Sequence, residues 1–193
     1  GINIEKIKIS ITSSLFPGSG LGSSASIAVA LNCAINEFYH LKMDKSQISN
    51  LAYEMEKIIH GTPSGIDNTT CTFGNLIYFQ EGNYELLQVP KDFKVLITYT
   101  GIKHNTKKAI ERFKEYKNSF PKLGEKILNG MGQLVNIAKI EIENRNVEMI
   151  GKLMNINQGL LASLGVSNHK ISEINDIALE NGAFGSKLTG AGL

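Results

Sequence analysis

Residues 16–26 read FPGSGLGSSAS, three glycines and four serines set between a strand-like and a helix-like stretch. Glycine lets a backbone turn tightly and leaves its N–H groups uncovered. A helix that starts directly after such a turn adds more free N–H groups and the positive end of its dipole. Strand, glycine turn and helix N-terminus together make a place for an anion, most often phosphate, without a lysine in the loop. The plainer alternative is a tight strand-to-helix turn in which a serine caps the helix.

Other glycine-rich patterns fit poorly. The G-x-x-x-x-G-K-[ST] phosphate loop is absent. A dinucleotide G-x-G-x-x-G would need glycine where Ser23 stands, and an acidic residue ending a second strand about twenty residues on, where the chain around Glu37 reads as helix. The G-x-S-x-G turn of hydrolases is missing too. Ser23 and Ser24 open the helix, and a hydroxyl there can cap an N–H or ligate Mg²⁺.

Upstream, IEKIKISI at 4–11 alternates Ile7, Ile9 and Ile11 with polar residues, the period of a half-buried strand. Downstream, Ala25, Ile27, Ala28, Leu31, Ile35 and Phe38 recur at helical spacing to about His40. Asp44 with Gln47 forms a capping-box signal for a second helix, whose apolar stripe is Ile48, Leu51, Ala52, Met55, Ile58 and Ile59. A Gly/Pro loop, HGTPSGIDN, covers 60–68 and leads into strand-like segments with turn signals at Gly74-Asn75 and Glu81-Gly82-Asn83. KVLITY at 94–99 reads as another strand. Helices are expected from an Asn105 cap to about Asn118, and over 122–144, 147–163 and 169–181, with Gly165 and Gly182 as end caps. GSKLTGAG reads as a short strand and a turn. The shift from mixed to helical composition places a domain boundary near Pro90, giving domains 1–90 and 91–193.

At about 100° per residue, Glu56 lies about 90° from the middle of that stripe, at its edge, where a side chain can reach a cleft beside the core. Glu54 and Lys57 lie farther round towards solvent. Asp67 sits in a loop stiffened by Pro63 and two glycines; it reads either as a turn residue or as a fixed base beside a metal-bound phosphate. His60 reads equally as a helix-end partner of the dipole or as a substrate contact. His40, His104 and His169 have no metal-like spacing.

The 193 residues are 42% hydrophobic and 20% charged, with net charge +2, too small and too dispersed for a nucleic-acid partner. No apolar run approaches the ~20 residues of a membrane span. Cys33 falls within an apolar helical pattern and reads as a small buried hydrophobe; Cys71 falls in a strand-like segment. Two such cysteines and no secretory pattern lead to the expectation of a cytoplasmic protein without disulfides. The start at Gly1 and the stop inside KLTGAGL suggest a fragment of a longer protein.

Taken in order, GSGLGSSAS, HGTPSGIDN and SKLTGAG resemble the second and third motifs of the GHMP kinases, and EKIIHGTPSGIDN is similar to the branch that acts on mevalonate. The resemblance implies an α+β fold, with a ribosomal protein S5 domain 2-like N-terminal domain and a ferredoxin-like C-terminal domain. It implies ATP-dependent phosphorylation of mevalonate's primary hydroxyl, with ATP and Mg²⁺ as cofactors. Pro17, Gly18, Ser19, Gly20, Leu21, Gly22, Ser23, Ser24 and Ala25 would bind the nucleotide, Ser24 and Glu56 the Mg²⁺, and Asp67 would be catalytic. His60, Thr106, Gly190 and Ala191 would lie at the substrate, and a homodimer would be usual. Another small-molecule kinase of the family, or a non-catalytic nucleotide-binding relative, stays open. Phe16 departs from the family's proline and Leu193 from its glycine. The N-terminal motif with its lysine is absent, so turnover is expected of the full-length kinase and this chain alone can be inactive.

Overall fold

Alanines decide how the first two helices meet. In a computed structural model that describes residues 7–15, 19–89, 91, 93–102, 106–190 and 192, helix α1 (Ser23–Phe38) lies against α2 (Lys45–His60). Ala28 and Ala52 are almost wholly buried between them, with Val29 and Ile48 alongside and Met43 and Met55 filling the rim. Helix α2 begins as its sequence predicts: Asp44 accepts from the Gln47 N–H and its own N–H donates to the Gln47 side chain, both at 2.9 Å. It ends at Gly61, whose positive φ of 76° suits glycine.

The stripe on α2 is narrower than expected. Ile48 and Ala52 are buried and Met55 packs on the core, but Leu51 is exposed and Ile58 is 87% exposed, because the core stops near Glu56 and the last turn runs beyond it. On α1, Cys33 is exposed and not buried. Its neighbour Asn32 takes the inward position and donates to the Ala28 carbonyl at 2.9 Å and to Met55 Sδ at 3.3 Å.

Residues 66–73 form a helix, α3 (Ile66–Phe73), where the sequence reads as the end of a loop to Asn68 followed by strand. Thr favours strands. Here, however, Thr69, Thr70 and Thr72 each turn their hydroxyl back to the carbonyl four residues earlier, at 2.7–2.8 Å, and Gly65 supplies the left-handed entry. The hairpin follows as expected. Strand β1 (Leu76–Gln80) pairs antiparallel with β2 (Asn83–Leu87), from Leu76 opposite Leu87 to Gln80 opposite Asn83. Glu81 and Gly82 both have positive φ, the turn that matches strand twist.

Four helices complete the chain: α4 (Thr106–Ser119), α5 (Pro121–Glu143), α6 (Val147–Ser163) and α7 (His169–Glu180). Their ends follow local signals. Pro121 starts α5, Asn146 and Asn168 cap α6 and α7, and Gly165 and Gly182 adopt positive φ just past their ends. The hairpin rests on α5 through Tyr78 Oη to Asn136 at 2.7 Å and a Lys139–Glu85 ion pair at 2.6 Å. A second core joins Val166, Ile171 and Leu188 with Phe113 and Leu161.

The strands expected at 94–99 and within GSKLTGAG are not strands, and the one expected over 4–11 carries no ladder at 7–11, residues 4–6 lying outside the described residues. Among the described residues β1 and β2 are the one ladder, and 7–14, 93–100 and 185–189 carry none. Alternation says which face would be buried but supplies no partner, and an unpaired strand is not stable. Ile9 and Leu96 are accordingly exposed.

Candidate active site

The α1 N-terminus is an open end. Gly20 and Gly22 have φ of 75° and 65°, and Gly22 occupies the cap position with no side chain to cap the helix. The first bond back into the helix is Ser26 N–H to Gly22 O, at 2.9 Å. The amides of Ser23, Ser24 and Ala25 therefore precede the ladder, and no acidic residue offsets the dipole in the first turn. No side chain caps the helix: Ser24 Oγ points across to α2, and Ser26 Oγ donates to the Ser23 carbonyl. Leu21 lies between the two glycines. Pro17 and Gly18 lie outside the described residues.

Three polar groups from α2 and α3 face this end. Glu56 is 4% exposed, and its Oε2 accepts from Ser24 Oγ at 3.2 Å. His60 Nε2 is 3.2 Å from the same hydroxyl and 3.7 Å from Glu56 Oε2. A serine has one proton; donating it to Glu56 leaves Oγ to accept from a protonated Nε2. Asp67, in the first turn of α3, lies beside Gly22: a Cβ there would be 3.7 Å from Asp67 Cγ and 3.8 Å from its Oδ1. Asn68 fixes α3 at that height, its buried amide donating to Ser49 O at 3.1 Å and Ser49 Oγ at 3.0 Å. Glu54 and Lys57 pair with each other in solvent, away from the site.

The donor set fits a hard cation. Glu56 Oε1 is buried without a partner, and so is Ser19 Oγ in the glycine turn. A buried carboxylate oxygen left unpaired is costly, and a Mg²⁺ ligand set of Ser, carboxylate and phosphate oxygens would satisfy it. Among the described residues no group of three His, Cys, Asp or Glu could hold a metal, so Ser24 and Glu56 would leave an ion's other positions to water or ligand oxygens. The charge is felt on α3: partial burial first, then Asp67 and Glu56, push the Cys71 thiol above its ordinary range.

The last glycine phrase closes on the first. Gly190, with φ 73°, faces Gly20 so closely that a Cβ on it would lie 3.1 Å from the Gly20 Cα. Lys187 is held below its usual pKa by burial and donates to the Leu188 carbonyl at 2.6 Å. Ala191 lies outside the described residues, and Thr106 enters as the first residue of α4. A separate concavity of about 370 Å³ between α2, α3 and the hairpin, lined by Tyr53, Asn68 and Phe79 among others, contains none of the predicted site residues. Sequence reasoning missed Ser49 and Asn68, because a side-chain amide bonding to a distant helix leaves no local pattern. The neighbourhood of Asp67 was the available hint.

Comparisons with known proteins give the family. The family model described as GHMP kinases N terminal domain matches residues 1–75, and the one described as GHMP kinases C terminal matches 138–193, together well over half of the chain. The chain is 39% identical over 191 residues to the mevalonate kinase of Pyrococcus horikoshii, covering 96% of this chain and 57% of that protein. The structure of L. major mevalonate kinase in complex with R-mevalonate matches with a TM-score of 0.80 at 29% identity, over 92% of this chain and 56% of that one. The Methanococcus jannaschii mevalonate kinase matches with a TM-score of 0.69 at 28% identity, over 94% and 56%. The chain thus spans a little over half the length of the relatives it matches.

Proposed function

The chain belongs to the GHMP kinases, with their α+β fold, and on that premise we propose that it carries the nucleotide, metal and base groups of a kinase that phosphorylates the primary hydroxyl of mevalonate with ATP. The observation that carries the reading is the convergence of Ser24, Glu56, His60 and Asp67 on the uncapped mouth of α1.

In this reading the amides from Gly20 to Ala25 hold the β- and γ-phosphates, the task an open helix end performs best. Pro17 would stiffen the approach to that turn and Gly18 would leave its N–H open to the nucleotide. Ser24 and Glu56 would hold Mg²⁺, which supplies neutralisation of phosphate charge when bound. Asp67 accepts the proton of the attacking hydroxyl and orients its oxygen towards the phosphorus. His60, 3.2 Å from Ser24 Oγ, would steady the ligand hydroxyl and lie at the substrate. Gly190 abuts the phosphate turn, and Thr106 and Ala191 would contribute to the substrate end. Placement and charge stabilisation would supply most of the rate. The division into 1–90 and 91–193, cytoplasmic residence and a homodimer belong to the same proposal; sedimentation tests the last.

The names of the relatives favour mevalonate over other alcohols. A coupled ADP-release assay on the complete reading frame, with and without mevalonate, tests the reading. Mevalonate-dependent release is expected. MgATP binding with no release under any alcohol would leave a nucleotide-binding protein and reject the kinase.

A further inference from the structure

Among the described residues, 184–188 have no strand partner, yet the Phe184 carbonyl and the Ser186 and Leu188 N–H groups are paired. One face of α6 serves as the missing neighbour. Gly151, Asn155 and Gln158 follow at intervals of four and three residues, which places them in one row along the helix. Gly151 forms the contact floor: a Cβ there would run into Phe184, and one on Gly185 would run into Gly151. Only glycine on both sides permits this backbone approach. Asn155 Oδ1 then accepts from the Ser186 N–H at 2.9 Å and its Nδ2 donates to the Phe184 carbonyl at 3.2 Å. Gln158 Oε1 accepts from the Leu188 N–H at 2.9 Å, while its Nε2 donates to Ser167 Oγ at 3.0 Å. Asn175 on α7 holds the Ser186 hydroxyl at 2.6 Å. The two amides are spaced to meet alternate residues of the segment, as a neighbouring strand would. Two residues beyond Leu188, Gly190 abuts Gly20 in the glycine turn, and the Thr189 carbonyl would lie 3.5 Å from a Cβ on Gly20.

We propose that the Gly151–Asn155–Gln158 row of α6 is a positioning device for the nucleotide turn: it fixes the register of residues 184–188 and so presses Gly190 against Gly20, setting the amides at the mouth of α1. The link to nucleotide affinity rests on the proposed kinase reading; the link to the turn does not. These are positioning residues, since none of them touches the site itself.

The test compares Gln158→Met, which removes the acceptor for Leu188, with Gln158→Glu, which keeps an acceptor and loses only the donor to Ser167. Amide hydrogen exchange at Gly20–Ser24 and MgATP affinity are read in both. An unpaired buried N–H is expected to weaken MgATP binding about tenfold in Gln158→Met, with faster exchange at Gly20–Ser24, while Gln158→Glu stays within about twofold of the parent on both. Should Gln158→Met not fold, Asn155→Leu, which removes the acceptor for Ser186, takes its place, with Asn155→Asp, which keeps that acceptor, as its control. Exchange at Gly20–Ser24 unchanged in the folded variant that lacks the acceptor overturns the proposal, whatever the nucleotide result. Faster exchange in a protein whose parent binds no MgATP upholds the positioning link and rejects the nucleotide reading instead.

Discussion

The two glycine turns that face each other, at Gly20–Gly22 and at Gly190, are held in place by different physics. The first runs straight into α1, and burial of Ala28 against Ala52 fixes that helix. The second ends a segment without a ladder, and side-chain amides of α6 fix it bond by bond. A turn anchored by close-packed small side chains tolerates the loss of one hydrogen bond but not added volume. A turn anchored by amides tolerates changes of bulk in solvent but not the loss of an acceptor. The chemistry also divides: the carboxylates sit on the helical side, where rigid elements aim them, and the C-terminal side contributes backbone alone.

Asp67→Asn breaks the comparison most sharply. If the helical side carries the chemistry, kcat falls about 10²–10⁴-fold while MgATP affinity is kept; single-turnover assays and calorimetry separate the two, and an intact kcat rejects the base. Glu56→Gln comes next. Removing one charge from a Ser–carboxylate site is expected to raise the Mg²⁺ concentration needed for half-maximal nucleotide binding about tenfold, and an unaltered metal titration removes Glu56 as a ligand.

Ala28→Leu tests the packing side of the contrast. Overfilling the contact with α2 costs about 1–3 kcal/mol, read as a lower urea midpoint. A neutral outcome would mean that α1 is not anchored by this contact. The smallest effect is electrostatic. Because Asp67 and Glu56 both raise the Cys71 pKa, Glu56→Gln lowers it and increases the thiolate fraction below that pKa. Alkylation of Cys71 at pH 8 should then quicken by about twofold or less, and an unchanged rate would place Glu56 too far from α3 to be felt.

What the sequence showed and what it hid follow the same division. Helices with end signals were legible, because Asp44 with Gln47, Gly165 and Gly182 act within a few residues of themselves. The position of Glu56 at the edge of an apolar stripe was legible for the same reason, since a helix fixes angular spacing. Residues 69–73 were misread because three threonines that favour strands in general bond back along a helix here. The segments 4–11 and 94–99 read as strands, but pairing is a property of two segments. Cys33 was misplaced by one position, which is about 100° of helix. Asn68, Asn155 and Gln158 were invisible, since an amide that meets a distant backbone has no periodic signature.

The central claim is that the α1 mouth, Glu56 and Asp67 form one site for a metal-bound nucleotide. Adding MnADP to the ¹⁵N-labelled chain tests it directly, because bound Mn²⁺ broadens nearby amide signals. Broadening should appear first at Gly20–Ala25 and at Ile66–Asn68 and spare Gly82 beside the separate concavity. Broadening centred on the hairpin, or none at any nucleotide concentration that saturates binding, would contradict the account.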